Sequence, residues 1–452
     1  MSRVEGRKST EKHVSSEEGA TTCYLISDLH IGGDGGLAHC EFESELIGFL
    51  AAVAAGPQPA ELIIVGDAFG FWELTDREGV SKLETIAAMH PALFRQLRET
   101  GERVTITLLP GNHDYDLACV PEYQTELARY NIHLEPVVSI TRAIAGHTVW
   151  IEHGNQYDDF NRFPDFGNRF GLPLGYFITS GIVAAAARSA ERTKSKWLDD
   201  VQSVYPNEDI PFWLLSNHFY KEMAPVLRWG LLPFLLLFTL SAVVFAVRVL
   251  ERLGGRSTSV FDINLQPILG LPGRLIDVVQ WVNSTVIFTL LVLAVPLYFL
   301  LRDARRALRR YGVSTGERLD REKDAQYVAA AKRIFAADPS VALFVYGHTH
   351  IPSLRQIDGR HVINTGTWLK RLEYVPVRIG RLPGVYVPSY QLNYFELSEA
   401  DGEIRVRYQV IPKTPPNDLT WLERLLILGR RTKAIPTIPA ETRAGRVMRG
   451  SA

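Results

Sequence analysis

The sequence predicts an α/β fold of two sheets with helices outside, and three observations carry that expectation. Short β-branched apolar runs alternate with helical periodicity in the first third of the chain. Strands separated by Asp-Gly turns follow one another near the end. Between them lies a long stretch of different, largely apolar character, roughly 166–327. Crossover units followed by hairpins are the pattern of packed sheets covered by helices.

Cys23–Ser27 reads as a short buried strand, and Glu41–Ala55 has the spacing of a helix. Leu62–Val65 is a second strand, Ser81–Glu99 a helix and Arg103–Leu109 a third strand, ended by Pro110-Gly111. Val137–Ile144 and Thr148–Glu152 read as a strand pair turning at Ala145-Gly146-His147. In the last third, Val341–Tyr346, Ser353–Ile357, His361–Ile363, Tyr390–Leu397 and Glu403–Val410 read as strands, with turns at Asp358-Gly359 and Asp401-Gly402.

Two uncharged apolar runs, Trp229–Val247 and Val278–Leu301, each have the length needed to cross a bilayer core of ~30 Å at about 1.5 Å per residue. Two crossings keep the chain's two ends on one side, so the runs are expected to span as a hairpin. Seven basic residues flank the side shared with the hydrophilic parts: Lys221, Arg228, Arg302, Arg305, Arg306, Arg309 and Arg310. Four lie in the connecting loop, which places the hydrophilic parts in the cytoplasm, as a two-span protein of the cytoplasmic membrane. Leu172–Ala187 and Asp418–Arg431 are further segments that either pack on the protein or lie against lipid.

Composition narrows the partners. A formal net charge of -1 gives the chain no polyanion-binding character, although eight Lys or Arg against three acids follow from Lys413 onward. No basic stripe with interleaved aromatics marks the hydrophilic parts, so no nucleic-acid partner is expected. Cys23, Cys40 and Cys119 are too few and too far apart for a disulfide framework and read as thiols in a reducing compartment. Residues 1–21 are charged and Ser-rich, lack the apolar core of a secretory signal, and read as a disordered lead-in.

Five short runs carry the chemistry: Asp28-Leu29-His30, Gly66-Asp67, Gly111-Asn112-His113-Asp114, Glu152-His153-Gly154 and Gly347-His348-Thr349-His350. Four of the five follow a predicted strand, which puts them where α/β proteins place ligands. Jointly they supply enough oxygen and imidazole nitrogen for two adjacent divalent cations, with a carboxylate able to bridge them. Two cations ~3.5–4 Å apart can hold a hydroxide for in-line attack while neutralising a phosphate's non-bridging oxygens. The mixed donor set favours Mn, with Fe, Zn or Mg as alternatives.

In order and type, these runs resemble the calcineurin-like metallophosphoesterases, over about Thr22–Phe163 and Ala342–Pro412. The resemblance implies a four-layer α/β/β/α sandwich, here carrying a helical, membrane-inserted hairpin as an insert. It implies that Asp28, His30 and His350 hold one metal, that Asp67 bridges, and that Asn112, His153 and His348 hold the other. His113, with Asp114 beside it, resembles the family histidine that contacts the phosphate and protonates the leaving oxygen. Asn155, Arg162 and Arg169 follow the His153 run as candidates for substrate binding, arginine being suited to bidentate phosphate contact.

Departures narrow the subfamily. Gly70 stands where the family's second motif often has another Asp, and Asp67-Ala68-Phe69-Gly70 lacks the Asp-Arg-Gly of protein Ser/Thr phosphatases. The tract Phe69, Phe71, Trp72, Glu73 is similar to UDP-2,3-diacylglucosamine pyrophosphatases, which usually have Arg where His113 stands. The expected organisation is a lead-in at 1–21, phosphoesterase halves at 22–165 and 328–412, an insert at 166–327 with spans at 229–247 and 278–301, and a basic tail at 413–452. The expected activity is hydrolysis of a phosphodiester, phosphomonoester or pyrophosphate bond at a membrane, with a lipid-linked or nucleotide substrate. The alternative is a catalytically silent scaffold or receptor of the same fold, which would be expected to have lost ligands or His113.

Overall fold

The computed structural model describes residues 22–32, 40–181, 200, 203–205, 209–259, 261, 266–310, 318–377, 382–416, 418–428 and 437–445. The lead-in at 1–21 lies outside them, as do parts of Leu172–Ala187 and Asp418–Arg431. The chain divides into two units, one of Met1–Ser216 with Leu319–Ala452 and one of Asn217–Arg318.

The first unit is a mixed α/β structure built on two large sheets. One contains, in spatial order, β15 (Glu441–Ala444), β14 (Glu403–Ile411), β13 (Leu392–Ala400), β1 (Thr22–Ile26), β2 (Ala60–Val65), β3 (Thr105–Leu109) and β4 (Ile132–Leu134). The other contains β5 (Ser139–Ile144), β6 (His147–Glu152), β8 (Val341–Tyr346), β10 (Arg360–Asn364) and β9 (Ser353–Ile357). A third, small sheet joins β12 (Val385–Ser389), β11 (Arg371–Val375) and β7 (Val204–Tyr205).

Strands β1, β2 and β3 pair in parallel and are buried on both faces, so they read as continuous apolar runs rather than alternating ones. Their alternate residues enter different cores. Tyr24, Ile26, Leu62 and Ile64 pack with helices α1 (Glu43–Ala55), α2 (Ser81–Met89) and α3 (Pro91–Gly101). Cys23, Leu25, Ile63 and Val65 instead pack against Val149, Ile151, Leu343 and Val345 of the second sheet. Each such side chain contributes about 1.5–3 kcal/mol. Tyr327, Ala331 and Phe335, on helix Arg318–Ala337, pack on Phe344, Tyr346 and Val362. At the sheet margin the Glu61 carboxylate accepts two hydrogen bonds from Arg142 (2.7 and 2.8 Å) and one from Thr107 (2.6 Å), a bidentate pair joining β2 to β5.

One predicted helix is two. Ser81–Glu99 breaks at His90 because Pro91 has no N–H and its ring keeps the preceding residue out of the helical region. The break is used: His90 contacts Glu43 (2.9 Å) and the Gly32 carbonyl (2.8 Å) through its two ring nitrogens.

The second unit contains helices Pro225–Leu253 and Leu271–Arg310. Asn283 of one donates to Ser241 of the other at 3.1 Å, both buried between them. Among the described residues one helix, Leu271–Leu300, is long and apolar enough to cross a membrane, and its surface is almost entirely exposed. Of the other expected span, 229–247, the side chains of 229 and 231–235 lie outside the described residues. Near the C-terminus, among the described residues, Trp421–Leu426 is helical, fixed by a capping box between Thr420 and Glu423; Leu426 is buried while Trp421 and Leu425 are exposed.

Candidate metal centre

All the expected ligands lie in the first unit, just past strand ends or in the turns that follow them. Asp28 and His30 follow β1, Asp67 follows β2, Asn112 and His113 follow β3, His153 follows β6, and His348 and His350 follow β8. Five of them, Asp28, His30, Asp67, His348 and His350, have positive φ between 44° and 67°. That conformation is uncommon for non-glycine residues and clusters where function demands it.

The turns converge. His350 Nε2 lies 3.2 Å from Asp28 Oδ1 and 3.2 Å from His30 Nε2. His30 Nε2 is 3.6 Å from Asp67 Oδ2, and His153 Nε2 approaches the same oxygen at 3.3 Å from the other side. Asn112 Oδ1 is 3.2 Å from His153 Nε2. Three overlapping groups could each hold a cation: Asp28, His30 and His350; His30, Asp67 and His113; Asp67, His153 and His348. Asp67 belongs to two of these, where a bridging carboxylate would stand.

The donors suit divalent cations. Asp28 Oδ1 is buried and faces only imidazole nitrogens, His350 Nε2 at 3.2 Å and His30 Nε2 at 3.9 Å, a costly state for a carboxylate oxygen unless positive charge meets it. Burial and the charge of His113 hold the His30 imidazole well below its usual range, so it is neutral and has a lone pair to offer. Burial pushes the Asp67 carboxyl up, but His153, His113 and His30 outweigh it and hold it well below the usual carboxylate range. His153 is the reciprocal case: burial lowers it, and Asp67 outweighs this and lifts it to about 10. The two shifts are one interaction, the Asp67 carboxylate against the His153 imidazole, and a cation beside Asp67 would supply the same positive charge.

The supporting shell fixes these groups. The Val65 carbonyl lies 2.8 Å from His153 Nδ1, which leaves Nε2 toward Asp67. Ser27 bonds Asp28 Oδ2, and the His348 N–H donates to the same oxygen at 3.0 Å. The His113 N–H donates to Asp67 Oδ1 at 2.7 Å. Gly66 has φ +82°, and a Cβ there would lie 2.5 Å from His153 Cγ, so only glycine lets that ring sit where it does.

His113 is held on two sides. Glu73 Oε1 is 3.2 Å from its Nδ1, and Trp72 stacks on its ring at 4.3 Å. Burial lowers the imidazole, and Glu73 outweighs that and raises it. Asp114 is fully buried and turned into the backbone: Oδ1 accepts from the Gly111 N–H (2.6 Å), and Oδ2 from the Ala68 (2.7 Å) and Phe69 (3.2 Å) N–H groups. Burial, then Asp67, push its carboxyl up to about 7, against the pull of these donors.

The candidate substrate groups make other contacts. Arg162 pairs with Asp159 (3.2 Å), Arg169 lies 3.9 Å from Glu78, and Asn155 donates to the Asn161 carbonyl (3.1 Å). Neither arginine contact is enclosed. Asp158, grouped with them in the sequence, instead sits 3.1 Å from His348 Nε2. Glu73 and Trp72 were readable only as part of an aromatic tract; nothing in their spacing points to His113, 40 residues on.

Residues 21–200 match the family model described as calcineurin-like phosphoesterase. This segment is a calcineurin-like phosphoesterase domain, and the chain that carries it is a phosphoesterase hydrolase. The matched segment holds the candidate ligands from Asp28 to His153, and the fold adds His348 and His350 from beyond it. A search of curated proteins finds no match. Among solved structures, a predicted phosphoesterase from Streptococcus pneumoniae is similar at 8% identity and a TM-score of 0.26, covering 89% of this chain and 96% of its own. A dimetal phosphatase from Danio rerio is similar at 11% identity and 0.32, covering 87% and 96%. The phosphopantetheinyl hydrolase of Mycobacterium tuberculosis is similar at 14% and 0.23, covering 81% and 96%. None reaches a TM-score of 0.5, so the site is read from its own residues.

Proposed function

We propose that this chain is a membrane-anchored, binuclear phosphoesterase whose catalytic domain faces the cytoplasm. The observation that carries the binuclear reading is Asp67, whose Oδ2 lies between His30 Nε2 (3.6 Å) and His153 Nε2 (3.3 Å). Asp28, His30 and His350 would hold one cation and Asn112, His153 and His348 the other, with Asp67 placed to serve both. Manganese fits this hard-oxygen and imidazole set best. Helices against the outer faces of two sheets with a shared core support the four-layer arrangement. The phosphoesterase domain comprises 22–165 and 328–412, and 166–327 is the insert.

Anchoring rests on the apolar runs 229–247 and 278–301, the length and exposure of Leu271–Leu300, and the distribution of basic residues. An enzyme held at the bilayer meets lipid-linked substrates at raised local concentration, which favours an amphipathic phosphodiester or pyrophosphate.

Bound cations would supply charge neutralisation for the non-bridging oxygens and a water made acidic enough to attack near neutral pH. The chain's own groups do the rest. His113 holds a proton for the leaving oxygen, and Asp114 fixes the two turns that carry Asp67 and Asn112. Arg162 and Arg169, in exposed pairs, can exchange their carboxylate partners for a second phosphate.

Detergent-solubilised protein with added Mn, offered bis-p-nitrophenyl phosphate, p-nitrophenyl phosphate, cyclic nucleotides and a UDP-linked diacylated sugar, tests the reading, with Asp67→Ala as control. Two metals per chain and turnover abolished in the control are expected. Protein that binds no metal would refute the enzyme, and the preferred substrate separates a lipid pyrophosphatase from a soluble phosphodiesterase.

A further inference from the structure

Glu73 is almost completely buried, and its Oε2 has no hydrogen-bond partner. A buried carboxylate in that state is destabilising by several kcal/mol unless a cation faces it. The group facing it is the His113 ring, whose Nδ1 lies 3.2 Å from Oε1. The surroundings are built for this contact. The Gly70 N–H donates to the Ile31 carbonyl at 3.0 Å, which fixes this segment beside the turn that follows β1. A Cβ at residue 70 would lie 2.9 Å from Glu73 Oε2, so glycine leaves the space the carboxylate occupies. Trp72 covers one face of the imidazole, and Tyr176 meets Trp72 edge-on at 5.7 Å.

We propose that Glu73 is the positioning residue of the proton donor: it binds the Nδ1–H of His113 and so fixes the ring with Nε2 as the nitrogen that protonates the leaving oxygen. The proposal rests on the phosphoesterase reading above. In the reaction the phosphorus–oxygen bond to the leaving group breaks as a water oxygen joins phosphorus. The proton on Nε2 passes to the departing oxygen, the water's proton goes to solvent, and Nδ1–H stays with Glu73. A misaligned His113 ring would slow the reaction most where the leaving alkoxide is poor. Glu73 thereby sets which esters the site can cleave, favouring aliphatic alcohols and sugars that depart only when protonated.

The test compares the unaltered protein with Glu73→Gln and Glu73→Asp on two phosphodiesters, one with a p-nitrophenyl and one with an alkyl leaving group. General acid catalysis supplies about 10²–10⁴-fold. In Glu73→Gln we expect kcat on the alkyl ester to fall about tenfold or more beyond the fall on the aryl ester. KM and metal content should hold, and Glu73→Asp should recover part of the loss. Equal falls on both esters, or lost metal, would make Glu73 merely structural and overturn the proposal. In ¹⁵N-histidine-labelled protein, the Nδ1–H resonance that disappears in His113→Asn should shift or vanish in Glu73→Gln; a resonance unmoved there also overturns it. If the unaltered protein turns over neither ester, the phosphoesterase reading fails, and the labelled histidine still decides the role of Glu73.

Discussion

Replacing Asp114 by Asn tests whether this carboxylate is a structural pin for the metal turns. Its oxygens accept three backbone N–H bonds, from Gly111 at 2.6 Å, Ala68 at 2.7 Å and Phe69 at 3.2 Å. All three partners are donors, so a carboxyl proton would find no acceptor among them, and the bonds favour the charged form. An asparagine can place its one oxygen toward Ala68 and Phe69 or toward Gly111, not both. Its amide then points N–H groups at a backbone N–H. The loss is one charge-assisted bond, about 1.5–3 kcal/mol, plus a buried N–H left unsatisfied, about 1–3 kcal/mol. A total of about 3–5 kcal/mol is expected, and at about 2–4 °C per kcal/mol the midpoint should fall by roughly 6–20 °C. Thermal unfolding with and without Mn, alongside metal content, measures this. The metal-dependent part of the stabilisation should shrink as well, because Asp67 and Asn112 flank the pinned turns. A midpoint lowered by less than about 2 °C, with metal content and turnover unchanged, would refute the reasoning.

Gly66→Ala should lower metal occupancy and destabilise by about 2 kcal/mol or more, since it combines φ +82° with a Cβ inside the His153 ring; thermal unfolding and metal analysis check both. His113→Asn should keep the metals and the fold while losing about 10²–10⁴-fold in turnover, read from kcat and metal content together. His361 is buried with Nδ1 unpartnered, and burial holds it below 6.5. Its unfolded form therefore binds more protons, so stability present above about pH 6.5 is lost as pH falls through 6.5 toward the lower folded value. His361→Gln should flatten that acid slope in denaturation midpoints measured across the pH range. Arg142→Ala leaves Glu61 buried without its bidentate partner and should cost about 3–5 kcal/mol by thermal or chemical unfolding.

That the candidate ligands would gather at strand ends was legible because each run is local: a residue type one or two positions past a strand that periodicity reveals. The strands β1, β2, β3, β6 and β8 were readable for the same reason, being apolar on both faces or nearly so. Strand β4, three residues long, has too little pattern to find, and β11 carries Arg371 and Glu373 among its apolar positions. The helix break at Pro91 was readable from Pro itself, against a periodicity that runs through it. What no local pattern holds is a contact across tens of residues: Glu73 with His113, or Asp158 with His348, 190 residues apart. Those depend on how a turn folds back, which the sheets decide.

The left-handed backbone of five candidate ligands shows what the sheets contribute to the site. Each non-glycine residue in that region costs about 1–2 kcal/mol relative to its relaxed form, and the turns would not keep it alone. They are held by cross-bonds between turns of different strands: Asp28 N–H to the Gly66 carbonyl at 3.1 Å, His30 N–H to the Asp67 carbonyl at 2.9 Å, and Gly347 N–H to the His153 carbonyl at 2.9 Å. The first two tie β1's turn to that of β2, and the third ties β8's turn to that of β6. His348 N–H to Asp28 Oδ2 then joins the two pairs across the sheets. Strain at any one ligand is thus resisted by bonds anchored on a neighbouring strand rather than by its own loop. A metal site assembled this way depends on the late strand β8 as much as on β1. The two ends of the sequence, separated by the apolar helices, must therefore come together before the site exists.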